Sequence, residues 1–228
     1  MTRTVFATII VALSVLANMN EPSNPTILQP PGLHPQNQPT GSLILYPTAD
    51  TWVNYNLPNN NYGSGVYLKI GSEECAGQEF PDRGRALIKF DLSPIPTGQV
   101  IESASLRLYL RNAYPGGATI NTISIHGVTA SWIETGVTWN NQPAHTATSF
   151  ASIVVGVTQA WYSWDITELV REWYSGSRPN NGLKMISVAE TTCNMRYFDS
   201  RENVYDPRLE ITYKPQYRIY LPLIFKAP

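Results

Sequence analysis

Charge is scarce in this chain: 16 Lys and Arg face 17 Asp and Glu in 228 residues, for a net charge of -1. Such a balance supplies none of the bulk positive field that points to a nucleic-acid partner. Cysteine is scarcer, with Cys75 and Cys193 alone, far too few for a cysteine-ligated metal site. Of three histidines, His34 lies in a Pro-rich stretch, which leaves His126 and His145 as thin material for a general base. The sequence has no G-x-S-x-G elbow, no H-E-x-x-H and no glycine-rich phosphate loop. A carboxylate pair for glycoside hydrolysis could be drawn from Glu134, Asp165, Glu168 and Glu172, but no spacing singles one out. These absences read as no enzyme.

Long hydrophobic runs are also missing. The stretch Val5–Leu16 falls short of the roughly 20 apolar residues that span a bilayer. It follows Arg3 and precedes Ala17, the pattern of a secretory signal with cleavage expected after Ala17. Residues 1–17 are therefore read as a signal peptide, with no membrane insertion after its removal and an extracellular location, secreted or at the cell surface. Residues 18–41 are dense in Pro, Asn and Gln without hydrophobic period, a linker that cannot bury a core. Residues 42–214 suffice for one sizeable domain, and 215–228 form an apolar tail. In an oxidising compartment Cys75 and Cys193 are expected to form a structural disulfide, contributing about 4 kcal/mol in the chain-entropy model.

What the chain has in quantity is Tyr, Trp, Asn and Thr, with 13 Tyr and 6 Trp. Short alternating runs separated by Gly, Pro and Asn predict an all-β, antiparallel sandwich with one short helix. The candidate strands are 43–46, 66–70, 85–92, 101–110, 120–128, 152–155, 162–165, 183–189, 196–199 and 208–213. The helix starts at Asp165, where Glu168 would complete a capping box, and ends at Gly176. Ile166, Leu169, Val170 and Trp173 fall on one face of it, so Trp173 reads as core, and Trp139 is read the same way.

Alternation also assigns faces. Ala86, Ile88, Phe90 and Leu92 point one way, Arg85, Leu87, Lys89 and Asp91 the other. Ala104, Leu106, Leu108 and Leu110 oppose Ser105, Arg107, Tyr109 and Arg111. Val66, Leu68 and Ile70 oppose Tyr67 and Lys69. If these strands are neighbours, one outer face interleaves bases with tyrosines. Two readings stay open: a solvated face whose bases pair with acids such as Glu102, Glu210 or Asp91, or a groove for an anionic polymer.

The stretches "ADTWVNYNLPNNNYGSGVYLKIG", "RALIKFDLSPIPTGQVIESASLRLYL", "SWIETGVTWNNQP", "WDITELVREWYSGSRPNNGLKM" and "FDSRENVYDPRLEITY" occur in that order. Together they resemble the DNRLRE, or disaggregatase-related, domain, classed among family 96 carbohydrate-binding modules. The resemblance covers about Ile44 to Tyr213 and implies a jelly-roll-like sandwich in secreted or surface proteins. It implies a sugar-binding role similar to alginate-binding modules, in which basic side chains and a tyrosine hold a uronate polymer. On the matching motifs it favours Lys69, Arg85 and Lys89. Arg107, Arg111, Tyr67 and Tyr109 follow from alternation alone. It also makes "WIETGVTWNNQP" and "DITELVREW" signatures of the fold, which leaves Trp52 and Trp161 as the better candidates for exposed stacking.

The resulting expectation is a non-catalytic module for an acidic, alginate-like polysaccharide. The competing one is a structural or adhesive subunit of a surface layer, fibre or matrix that self-associates through the C-terminal tail, where Tyr217, Ile219 and Leu221 alternate. No cofactor is expected. A structural calcium is open, because the loops carrying Asp50, Asn59, Asn60 and Asn61 offer oxygen ligands, although Asn also serves turns.

Overall fold

A computed structural model describes residues 41–75 and 82–216. The expected signal segment, the linker up to residue 40 and the tail from residue 217 lie outside the described residues. In chain order the strands are β1 (Gly41–Leu45), β2 (Pro47–Asn54), β3 (Tyr67–Ser72), β4 (Arg83–Phe90), β5 (Gln99–Ala113), β6 (Asn121–Gly127), β7 (Ala151–Val155) and β8 (Trp161–Asp165). Helix α1 (Thr167–Ser175) follows, then β9 (Leu183–Ser187), β10 (Arg196–Asp199) and β11 (Arg208–Pro215). The pairing is antiparallel and runs β1-β11-β5-β10-β3-β4-β9-β6-β7, with β2 added along β4 and β8 along β5. The sheet is one curled, all-β surface.

Its curl follows from β5, which is long enough to serve two sets of partners. Residues 99–107 pair with β11, residues 105–109 with β8, and residues 110–113 with β10. Through β10 and β3 the sheet then turns into β4, β9, β6 and β7. The inward residues read from alternation meet inside that curl. Ala86, Ile88 and Phe90 of β4 and Ala104, Leu106, Leu108 and Leu110 of β5 join Trp164, Phe198 and the α1 residues Leu169, Val170 and Trp173 in one core. Each such side chain removed from water contributes about 1.5–3 kcal/mol.

Strand β2 escaped the sequence reading, for a physical reason. Thr51, Trp52, Val53 and Asn54 are all buried in succession, so the strand shows no apolar–polar period. Its second face is covered because Val53, Leu87, Val128 and Val137 form a smaller core, with Trp132 and Trp139 packed against it. The outward side of β4 is therefore not solvent, as plain alternation implies for Leu87. The tryptophans of "SWIETGVTWNNQP" cover the sheet: Trp132 Nε1 donates to Asn181 O at 2.8 Å. Trp139 is thus core-building, in this second cluster.

Two local expectations are corrected. Val66 is exposed, because β3 begins one residue later, at Tyr67. The capping box does not form: Glu168 turns to Arg171 (2.5 Å), while Asp165 Oδ1 alone accepts Thr167 N at 2.9 Å and Thr167 Oγ1 at 2.6 Å. Gly176 closes α1 as expected, at φ +74°, a conformation that costs glycine nothing. Cys75 and Cys193 are bridged, tying the end of β3 to the approach to β10.

Candidate functional site

The open outer face is built on β5. Its period of two sends Arg107, Tyr109 and Arg111 away from the core. Register sets their neighbours: Trp161 of β8 lies opposite Tyr109, and Arg208 of β11 opposite Arg107. Further along β5, Tyr197 of β10 pairs with Asn112, and on the far side of β10 it pairs with Lys69 of β3.

The aromatic rings gather into a platform. Tyr109 lies 4.3 Å from Tyr205 and 5.6 Å from Trp161, and Trp161 lies 6.0 Å from Tyr205. Guanidinium groups overlie it: Arg208 sits 4.2 Å and Arg107 5.6 Å from the Trp161 ring, and Arg111 is 5.3 Å from Tyr109 and 5.2 Å from Tyr205. Contacts of this kind contribute about 0.5–1 kcal/mol each when exposed. The face continues into a shallow depression of about 510 Å³ lined by Tyr67, Lys69, Arg111, Asn112, Gln159 and Tyr197.

Each base on this face has an acid. Arg111 grips the fully buried Asp199 through Nε (3.0 Å) and Nη2 (2.6 Å). Arg107 and Arg208 share Glu210, each at 3.0 Å. Lys69 Nζ meets Asp82 at 2.9 Å and Glu73 at 3.7 Å. Burial, reinforced by its 2.5 Å bond to Glu73, holds the Tyr197 phenol well above its ordinary range. Four cations against four carboxylates leave the face neutral in sum. It therefore offers aligned donors and rings, not a positive field.

The predicted site residues divide accordingly. Tyr67, Lys69 and Arg111 line the depression, and Tyr109 and Arg107 extend it along β5. Arg85 and Lys89 stand on β4, which the path β5-β10-β3-β4 places three strands from β5, about 14 Å at ordinary strand spacing. Arg85 is committed there, holding Glu190 at 2.6 and 2.7 Å and lying 4.4 Å from the Trp139 ring. Trp161 is half-exposed on the platform, whereas Trp52 is buried beneath Lys69 (4.8 Å) and Tyr62 (4.2 Å), which removes it as a stacking surface.

Sequence reasoning missed Tyr197, Arg208 and Tyr205. The first two were reachable by alternation, since Arg196 and Phe198 point inward around Tyr197 and Leu209 and Ile211 flank Glu210. Tyr205 sits in an irregular turn with no period to betray it. Two of the asparagines weighed as calcium ligands make other bonds: Asn61 Nδ2 donates to Glu134 O and Val137 O, both at 2.6 Å, while its Oδ1 accepts Gly63 N at 3.1 Å, and Asn59 Oδ1 accepts from Asn140 Nδ2. Asp50 lies in β2 and not in a loop.

The fold is that of an all-β module, an antiparallel sheet curled around its main core with an aromatic, donor-rich outer face. The chain belongs to carbohydrate-binding module family 96, whose model matches residues 42–213. The matched model describes carbohydrate-binding modules. It is similar to the tRNA nuclease WapA of Bacillus subtilis, 26% identical over 218 residues, covering 88% of this chain and 8% of WapA. The tRNA3(Ser)-specific nuclease WapA of Bacillus spizizenii shows the same identity and coverage. A gellan lyase of a Bacillus species is 20% identical over 177 residues, 77% of this chain and 7% of that enzyme. The chain thus spans less than a tenth of the length of these relatives.

Proposed function

We propose that this chain is a secreted, non-catalytic module that holds an acidic, uronate-type polysaccharide on the outer face of β5, β8, β10, β11 and β3. The observation that carries this reading is the platform of Trp161, Tyr109 and Tyr205 flanked by Arg107, Arg208 and Arg111. Sugar rings stack on such surfaces, and guanidinium groups offer forked donors that match a carboxylate. Because every base already has an acid, selectivity comes from charge-assisted bonds at fixed positions and not from net attraction. The similarity to part of a gellan lyase agrees with a polysaccharide partner, and the net charge of -1 argues against nucleic acid. The Cys75–Cys193 bridge supports an oxidising, extracellular setting.

The test is affinity electrophoresis through gels carrying alginate, pectate, a neutral glucan or no polymer. Retardation by the acidic polymers is expected, with loss of most of it in Trp161→Ala and in Arg107→Ala/Arg111→Ala, and none in Lys89→Ala. Loss in Lys89→Ala with full retardation in Trp161→Ala would move the site to the β4 layer. No retardation in any gel would shift the weight to a structural or adhesive subunit, a reading served by the exposed Ile44 on the edge strand β1 and the exposed Tyr46 just after it.

A further inference from the structure

Strand β2 carries one acid into the buried layer. Asp50 is 1% exposed. Its Oδ2 accepts the Arg201 N–H at 3.0 Å, but Oδ1 is buried without any hydrogen-bond partner. A buried carboxylate oxygen left in this state is among the costlier features a fold can carry. Burial first, then repulsion from Glu202 and Glu134, raises the Asp50 carboxyl to about 7.

The neighbours of that carboxylate are acids. Oxygen atoms of Asp50, Glu134 and Glu202 lie within 4.8 Å of one another. They arrive from three separate segments: β2, the turn before Val137, and the turn that follows β10. Their placement is held firmly. Asp50 N donates to Glu134 Oε1 at 2.8 Å, while Arg201 donates to Glu134 Oε2 at 3.0 Å, Glu202 Oε1 at 2.9 Å and Thr48 O at 3.1 Å. One guanidinium among three carboxylates leaves two negative charges when all are ionised.

We propose that Asp50, Glu134 and Glu202 form a binding site for a hard divalent cation of the calcium class. The donor set is all oxygen, without the nitrogen or sulfur that would favour zinc or copper. Calcium takes about 6–8 oxygens at about 2.3–2.6 Å, and three carboxylates supply three to six of them, with water completing the shell. Each carboxylate oxygen already bonded to an N–H keeps a second lone pair for the metal. A divalent ion cancels the residual charge of two, satisfies Asp50 Oδ1, and ties β2 to both turns. The site stands independently of whatever the aromatic face binds.

The test is calcium titration of the purified, chelator-treated chain by calorimetry, with Tm followed in parallel. One site is expected, with Kd in the range of about 10⁻⁵–10⁻³ M and a Tm gain of roughly 5–10 °C at about 10 mM Ca²⁺. Magnesium at the same concentration gives a smaller gain. Glu202→Gln, on an exposed turn, keeps the metal-free Tm and weakens calcium binding about tenfold or more, and Asp50→Asn abolishes it. Absence of both heat and Tm shift in the unmodified chain overturns the proposal. So does an equal calcium response in Glu202→Gln, or an equal response to magnesium, which would mark a general ionic effect.

Discussion

Arg196 is fully buried, yet none of its bonds among the described residues goes to a carboxylate. All five of its N–H donors end on backbone carbonyls: Nε on Gly156 (2.6 Å), Nη1 on Asn194 (2.9 Å) and Met195 (3.2 Å), Nη2 on Ala118 (2.9 Å) and Val155 (3.5 Å). The guanidinium thus pins three segments: the loop before β6, the end of β7 with Gly156, and the approach to β10. Replacing it with Met keeps most of the volume and leaves those carbonyls behind. Two of them have a second donor, since Asn121 Nδ2 reaches Asn194 O and Tyr114 N reaches Met195 O. The fifth bond, to Val155 O, is long at 3.5 Å, so the loss falls mainly on Gly156 O and Ala118 O, both part-buried sites where water can replace part of the bond. Two bonds from a charged donor at about 1.5–3 kcal/mol each, reduced by the desolvation that the charge no longer suffers, give a loss of about 2–4 kcal/mol for Arg196→Met. Arg196→Lys has three donors in place of five and cannot fork, so about half that loss is expected. Urea unfolding followed by tryptophan fluorescence reads both variants, and an unchanged slope with denaturant would show that the unfolded state is not the cause. A Met variant as stable as the parent would refute the reasoning, because it would mean the five bonds only offset the burial of the charge.

Two further perturbations test other parts of the fold. Gly71 holds φ +119°, and a Cβ there would lie 2.5 Å from Asn194 Oδ1 and 2.9 Å from Asn121 Nδ2. Gly71→Ala should cost about 2–4 kcal/mol in urea unfolding through strain and the displaced Asn194 network, and a loss under about 0.5 kcal/mol would disprove that account. Lys184 is buried, and although its ammonium donates to Gln142 Oε1 (2.9 Å) and Pro143 O (2.6 Å), burial and then Arg85 push it down to about 8. With the folded value below the unfolded one, the unfolded chain binds more protons between about pH 8 and 10.5, so this group makes stability rise with pH there, by at most about 1.4 kcal/mol per pH unit. The stability difference between Lys184→Met and the parent, measured at pH 7, 9 and 10, should therefore move steadily in the parent's favour, and a constant difference would rule the shift out.

Where one face of a strand meets the core and the other meets water, the sequence was readable. Ala104, Leu106, Leu108 and Leu110 alternate with Arg107, Tyr109 and Arg111, and both halves of that reading stand in the structure. Strand β2 was illegible because both its faces are buried, which erases the period. The site was legible to the same degree. Arg107, Tyr109 and Arg111 share one strand and one face, whereas Lys69 joins them only because β10 lies between β3 and β5. That pairing links residues far apart in sequence, and no local pattern encodes it. Arg85 and Lys89 show the converse: a motif match names residue types without saying in which layer they stand.

Coverage, not composition, decides which layer can meet a polymer. The outer side of β4, β9 and β6 also carries bases, Arg85 and Lys184, beside Leu87 and His126. There the segment containing Trp132, Val137, Trp139 and Gln142 folds over the strands, so Lys184 ends on Gln142 and Pro143, and His126 Nδ1 lies 2.8 Å from Thr146 O. The donors on that side are consumed by the protein's own loop. On the β5 side no segment of this kind intervenes among the described residues, and Trp161, Tyr109 and Arg111 keep part of their surface in solvent. The proposed long, flexible ligand would need an uninterrupted row of rings and donors, and the described residues offer such a row along β5, from the Trp161 platform into the depression beside Tyr67.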